Sequence, residues 1–296
     1  MSVDTQPLIR ANISLAGLTS MKVGGAAEYF ISPRSSTELA ESLAWASDRH
    51  LPITIIGAGS NLLISDEGLA GLVICTRHLR GIEFDETSGQ VNAAAGEPVA
   101  RLAMQIASHG WTGFEWAIGI PGSVGGLVVM NGGAQGGSAA DCVVSVQTVT
   151  LTGETQVLYP QDLDFSYRTS ALQGSELLVT EATFKFDMGG DPEAIAADTE
   201  AKLKARHSTQ PYHLPNCGSV FRNPLPHFAA KLIQDAGLKG YQIGNAQVSE
   251  LHGNFIVNLG NAKAEDIFSL IEHIKQVISD RYGVVLETEV KLIGNF

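Results

Sequence analysis

Between Gly119 and Gly126 the chain reads Gly-Ile-Pro-Gly-Ser-Val-Gly-Gly. Four glycines, one proline and one serine in eight residues are expected not to pack a core. Glycine has no Cβ to hold a ligand off, so such a run can set bare backbone N–H groups against an anion. A second loop, Gly57-Ala58-Gly59-Ser60-Asn61, follows the apolar run Ile53 to Ile56. Two such loops, well apart in sequence, point to one long ligand with a diphosphate in its middle. A Rossmann reading fits poorly. Gly57 and Gly59 match G-x-G-x-x-G, but Leu62 stands at the third glycine, and no alternating parallel β-α-β pattern follows. Two ordinary turn clusters would account for one loop more easily than for both. A third cluster, Gly132 to Gly137, reads as a flexible connection; its neighbour Asn131 could hydrogen-bond a ligand, but a satisfied turn asparagine is the favoured reading.

The net charge of −12 narrows how a phosphate could be held. An acidic chain is a poor partner for nucleic acid or an anionic membrane, so backbone N–H groups and a few local cations must do the work. No apolar run approaches the length of a membrane span. Met1 to Arg10 lacks a basic-then-apolar leader pattern, which makes the cytoplasm the expected location. Cys75, Cys142 and Cys217 form no CxxC pair, and their odd number argues against a disulfide framework. The histidines fit no metal-ligand spacing, so no metal is expected.

Charged residues are only 17% of 296, and hydrophobic ones 44%, so the chain can fill several cores. Strands are expected at Glu28 to Ile31, Ile53 to Ile56, Leu69 to Cys75, Gln90 to Ala95, Val143 to Leu151, Thr155 to Tyr159, Leu178 to Phe186, Gly253 to Asn258 and Val284 to Ile293. Helices are expected from Ser36 through Trp45, capped by Ser35 or Ser36, and at Pro98 to His109, Pro192 to Lys204, Phe228 to Ala236 and Ala264 to Tyr282. Met188-Gly189-Gly190-Asp191-Pro192 reads as a linker. The expected architecture is α+β in three lobes: residues 1–82, 83–188 and 189–296.

Past the linker, Cys217-Gly218-Ser219-Val220-Phe221-Arg222-Asn223-Pro224 sits among prolines. G-x-S-x-G fails, because Cys217 and Phe221 occupy the outer positions. His213, His227 and His252 have no diagnostic placement as a hydrolase base. Cys217 reads as a small core residue. A serine hydroxyl can, however, protonate a strongly basic carbanion or enolate within hydrogen-bond reach. Arg168, in Phe165-Ser166-Tyr167-Arg168-Thr169-Ser170, could clamp a carboxylate in bidentate fashion or form a surface ion pair. Glu289 alternates with apolar neighbours and is either a solvated face residue or a carboxyl in a cleft, the first being slightly favoured.

Taken in order, these blocks resemble the UDP-N-acetylenolpyruvoylglucosamine reductase family. The blocks are Met21 to Ala27, Gly57 to Leu63, Gly119 to Gly126, Phe165 to Ser170, Gly218 to Pro224, Ala236 to Tyr241 and Glu289 to Gly294. The resemblance implies a two-lobed FAD-binding domain of the vanillyl-alcohol-oxidase type, followed by a third α+β substrate-binding domain. It implies non-covalent FAD on Gly57, Ala58, Gly59, Ser60, Asn61, Gly119, Pro121, Gly122, Ser123 and Gly125. NADPH would be the co-substrate and a UDP-sugar enolpyruvyl ether the substrate. Ser219 matches the proton donor, and Arg168 and Glu289 match the pair that stabilises the enolate. Tyr167, Asn223 and Lys231 fall at substrate contacts. A Glu289 carboxyl beside the substrate's carboxylate would have its proton affinity raised and could donate a hydrogen bond. A monomer or small homo-oligomer is expected. Ser20 and Asn245 depart from the family's threonine and glycine. The short stretch from Arg168 to Leu178 leaves no room for the tyrosine-bearing substrate loop of one branch. Two other readings stay open: an oxidase of the same superfamily, and a nucleotide-binding module without catalysis.

Overall fold

A computed structural model describes residues 8–296; most of the leader segment considered above, Met1 to Arg10, lies outside them. Along the chain the elements are β1 (Arg10–Ser14), β2 (Ala26–Ile31), α1 (Ser36–Ser47), β3 (Ile53–Ile56), β4 (Leu62–Ile64), β5 (Leu69–Cys75), β6 (Ile82–Asp85), β7 (Gln90–Ala94), α2 (Val99–Ser108), α3 (Val124–Val129), β8 (Gly133–Ala134) and β9 (Gly137–Ser138). There follow β10 (Val143–Thr150), β11 (Thr155–Leu158), β12 (Leu177–Lys185), α4 (Pro192–Thr209), α5 (Ala229–Asp235), β13 (Gln242–Ile243), β14 (Ala246–Val248), β15 (Ile256–Asn258), α6 (Ala264–Tyr282) and β16 (Lys291–Ile293). The chain divides into two compact units, one of residues 8–11, 29–58 and 70–204, the other of 12–28, 59–69 and 205–296.

The first unit holds two cores. In α1 the Ser35 hydroxyl accepts the Glu38 N–H at 3.1 Å, while the Glu38 carboxylate accepts the Arg34 N–H at 2.8 Å. This reciprocal cap opens the helix. Leu39, Leu43 and Ala46 then fall on one face and are buried. They pack with Leu72 and Ile74 of β5, in a sheet ordered β1-β2-β5-β3. The β3–β5 pair is parallel, with Ile53 opposite Leu72. The larger core lies on the sheet β11-β10-β12-β7-β6, whose neighbouring strands run antiparallel. Val99, Leu102, Ala103 and Ile106 of α2 are buried in it at helical spacing, together with Trp111, Phe114, Phe184 and Phe186.

The second unit is built on α6. Ile267, Leu270, Ile271, Ile274 and Ile278 form its buried stripe, and they share a core with Ala246 and Val248 of β14 and Ile256 of β15. Asp66 caps the helix, its two oxygens accepting the N–H groups of Ala264 and Glu265 at 3.0 Å each. Gly283, at φ +67°, ends it.

The expected final strand is shorter than its apolar alternation suggested. Only Lys291–Ile293 pairs as a strand, parallel to β4, and upstream Thr288 makes one isolated bridge to Phe221. Gly253 to Asn258 likewise contracts to Ile256–Asn258. The Gly119 to Gly126 stretch was expected to stay out of the core. Instead its second half starts α3, and Val124 and Gly125 are buried.

Candidate active site

The two diphosphate-type loops meet within the first unit. Gly57 follows β3 directly, and a Cβ placed on it would lie 2.6 Å from the Ser123 hydroxyl. Ser123 stands at the N-terminus of α3 and is 2% exposed, and its Oγ has no hydrogen-bond partner among the described residues. The second loop is held by its main chain: the Val99 N–H donates to the Gly122 carbonyl at 3.0 Å, the Val124 N–H to the Glu97 carbonyl at 2.9 Å. Gly125 backs onto Ala95, which a Cβ would approach to 3.1 Å. Gly119 is buried and Pro121 exposed.

The rest of the first loop belongs to the second unit. Gly59, at φ +65°, lies so close to the Leu18 carbonyl that a Cβ would stand 2.1 Å from it, so only glycine fits there. Its carbonyl accepts the Ser20 N–H at 3.0 Å. Among the described residues, the N–H groups of Ala58, Gly59, Ser60 and Asn61 donate to no protein acceptor. Asn61 donates through Nδ2 to the Glu289 carbonyl at 3.1 Å and accepts the Lys291 N–H at 3.0 Å. The cofactor-type loop is thereby fastened to the segment that carries Glu289.

Ser219 and Glu289 come together in this second unit. Gly218, at φ +79°, turns the chain, and its N–H is held by the Asn216 carboxamide at 2.9 Å. The Glu289 N–H then donates to the Val220 carbonyl at 2.8 Å, and the Arg222 N–H to the Glu287 carbonyl at 2.9 Å. On the other side Asn254, 4% exposed, accepts the Phe221 N–H at 2.9 Å and donates to the Phe221 carbonyl at 2.8 Å. The serine loop is thus clamped between an asparagine side chain and an extended segment. Arg222 and Lys291 also gather here. Burial and the Arg222 charge hold the Lys291 ammonium below its usual range, and Glu289 pulls the other way. A pair of cations in an acidic chain suits an anionic ligand. Glu289 is partly buried.

Arg168 sits in the first unit, in a tight turn closed by reciprocal Ser166 and Thr169 hydrogen bonds of 3.0 Å. Its φ is +56°, an unusual backbone state for a residue with a Cβ. Its carbonyl accepts from Gln173 at 2.9 Å, and its guanidinium lies 5.5 Å from the Tyr167 ring centre. Asn131, a buried and satisfied turn residue, accepts the Ala140 N–H and donates to the Ser166 carbonyl, tying the third glycine cluster to this turn. That cluster is a structured hairpin, β8–β9, where Gly137 packs so close to Trp116 that a Cβ would stand 2.4 Å from its ring. Asn131, the hairpin, Tyr167 and Arg168 line a cavity of about 390 Å³.

Other expected residues have quieter surroundings. Asn223 accepts the Ala229 N–H at 3.0 Å and joins the serine loop to α5. Lys231 is exposed on α5 and paired with Asp235. Cys217 is 4% exposed, and burial, with Glu289 adding to it, pushes its thiol up to about 12; it is a core thiol. Burial, then Lys239, pulls His252 down, and its Nδ1 accepts the Asn254 N–H at 3.2 Å. Among the described residues no group of three or more His, Cys, Asp or Glu is placed to hold a metal, and no helix is long and apolar enough to cross a membrane.

Residues 210–293 match the family described as UDP-N-acetylenolpyruvoylglucosamine reductase, C-terminal domain, and residues 27–159 the family described as FAD binding domain. The chain is 53% identical to the UDP-N-acetylenolpyruvoylglucosamine reductase of Nostoc sp. over 97% of this chain and 87% of that one. The chain belongs to the UDP-N-acetylenolpyruvoylglucosamine reductase family. The Synechocystis sp. relative of the same name is 51% identical over 99% of this chain and 93% of its own. The crystal structure of the family member from Thermus caldophilus superposes with a TM-score of 0.82 at 32% identity, covering 97% of this chain and all of that one. The α+β fold with an FAD-binding domain agrees with the expectation from sequence. Within the first unit the residues present fit FAD: an orphaned buried Ser123 hydroxyl, a Gly57 cradle that a Cβ would fill, and an Ala58 N–H without a protein acceptor among the described residues are what a diphosphate satisfies.

Proposed function

We propose that the chain is an NADPH-dependent flavoenzyme that reduces the enolpyruvyl group of UDP-N-acetylglucosamine enolpyruvate to the lactyl ether, giving UDP-N-acetylmuramate for peptidoglycan synthesis. The observation that carries this reading is the clamped Ser219 loop paired with the Glu289 segment, itself fastened to the cofactor-type loop through Asn61. Family membership supports it over its full length.

Bound FAD, reduced by NADPH, supplies the hydride. What remains for the protein is to hold the substrate's carboxylate and to deliver one proton to the carbon beside it. Arg168 is the bidentate cation for that carboxylate; its turn keeps the guanidinium stem in one backbone state. Glu289, beside a substrate carboxylate, takes a proton rather than face a second negative charge, and so donates a hydrogen bond. Ser219 gives its hydroxyl proton to the carbon that has become basic. Such a contribution is typically about 10²–10⁴-fold in rate. Gly57 to Asn61 and Gly119 to Gly125 hold the cofactor, while Tyr167, Asn223 and Lys231 contact the substrate. In this reading residues 1–82 and 83–188 are the two FAD lobes and 189–296 the substrate domain. The enzyme works in the cytoplasm as a monomer or small homo-oligomer.

The test is Ser219→Ala under anaerobic mixing. NADPH should bleach the flavin at close to the wild-type rate, and reoxidation by the enolpyruvyl sugar should slow by about 10²–10⁴-fold. Wild-type rates in both halves would remove Ser219 from the role, and a defect confined to NADPH oxidation would do the same.

A further inference from the structure

We infer that Arg77 is a positioning residue of the flavin site, one that sets which way the peptide groups of the first glycine loop point. Arg77 follows β5 in a short turn and is half-buried. Its Nε donates to the Gly57 carbonyl at 3.3 Å, and one of its terminal nitrogens donates to the Ala58 carbonyl. A trans peptide group is planar, and its C=O and N–H point in opposite directions. Drawing two successive carbonyls onto one guanidinium therefore turns the N–H of Ala58, and that of the following residue, to the far side of the loop. Those are N–H groups that meet no protein acceptor among the described residues. If either peptide flipped, a carbonyl oxygen would face the diphosphate and repel it.

The arginine's own frame is fixed, and it reaches the second loop. Thr76 donates from Oγ1 to the Ile56 carbonyl at 3.4 Å, at the end of β3. The Arg80 side chain donates to the Arg77 carbonyl and pairs with Glu97 at 3.4 Å. Glu97 is 3% exposed, and its main-chain carbonyl accepts the Val124 N–H at the start of α3. Gly96 lets these segments close up, since a Cβ there would stand 2.1 Å from the Thr76 carbonyl. One small frame thus braces both loops, and its guanidinium sets a fixed positive charge behind the first. Nothing in the sequence around Arg77 marks it as a cofactor residue, because it touches the loop's carbonyls and not its N–H side.

This inference rests on the flavin reading. The full chain, stripped of flavin, is titrated with FAD and with riboflavin, which lacks the diphosphate, and its melting temperature is recorded. Arg77→Met should weaken FAD binding about 30-fold, the scale of one charge-assisted hydrogen bond, and leave riboflavin binding within about threefold. Arg77→Lys, which keeps the charge but not the two-pronged geometry, should recover the wild-type melting temperature and only part of the FAD affinity. FAD affinity within about threefold of wild type in Arg77→Met overturns the inference, as does an equal loss for riboflavin. If Arg77→Met also melts early, Arg77→Lys decides: full recovery of both melting and FAD affinity overturns it, and recovery of melting alone upholds it. A wild-type chain that takes up no FAD overturns the flavin reading and this inference with it.

Discussion

Removing the Asn254 side chain should loosen the serine loop by an amount that follows from two hydrogen bonds. The Phe221 N–H and carbonyl both face the Asn254 carboxamide, at 2.9 and 2.8 Å. Their opposite neighbours, the Val220 carbonyl and the Arg222 N–H, are already paired with Glu289 and Glu287. Phe221 is 1% exposed and Val220 fully buried, so water does not reach the freed groups easily. Leaving a buried donor or acceptor unsatisfied costs about 1–3 kcal/mol each, so Asn254→Ala should destabilise the chain by about 2–6 kcal/mol. That is a large share of the 5–15 kcal/mol typical of a domain. Urea unfolding measures the loss, and amide exchange at Phe221 localises it. Turnover of the enolpyruvyl half-reaction should fall with it, because Ser219 loses its fixed position, while bleaching of the flavin by NADPH stays near wild type. A loss under about 0.5 kcal/mol, or unchanged protection of the Phe221 amide, would refute the clamp.

Gly57→Ala should weaken FAD binding by at least about tenfold, because the new methyl would stand 2.6 Å from the Ser123 hydroxyl in the cradle; an FAD titration of the flavin-free chain checks it. His252 tests the pH dependence of folding. Burial and then Lys239 lower its affinity for a proton in the folded state, so its contribution to stability is present above its ordinary value of 6.5 and is lost as pH falls below it. Wild type should therefore lose more stability than His252→Gln between about pH 7 and pH 5, measured as the shift of the urea midpoint; parallel curves would refute it.

The parts of the fold that repeat a strong period were legible in the chain. Ile53–Ile56, Leu69–Cys75 and Ala264–Tyr282 show clear apolar runs or helical spacing bounded by proline, glycine or polar turns. Short strands such as Leu62–Ile64 were not, since three residues carry no period and pair only because β16 arrives from the other end of the chain. The same limit shortened the last strand, where the alternation around Glu289 is real but only Lys291–Ile293 pairs in a ladder and Thr288 adds one isolated bridge. Of the residues proposed for the reaction, Ser219, Arg168 and Glu289 stood out by their motifs. Asn254 and Arg77 did not, because each acts through main-chain hydrogen bonds to a loop remote in sequence. Asn-Phe at 254 and Thr-Arg at 76 look like ordinary residues until the loop they hold is in place.

On the proposed function, this chain carries a flavin that passes reducing equivalents from NADPH to an enolpyruvyl ether. The most direct measurement is anaerobic: reduce the FAD-loaded enzyme with one equivalent of NADPH, then add UDP-N-acetylglucosamine enolpyruvate and follow the flavin absorbance and the product. The yellow colour should return without oxygen, with one lactyl ether formed per flavin reoxidised. A chain that stays colourless in excess FAD, or a reduced flavin whose colour returns only when oxygen is admitted, would contradict it.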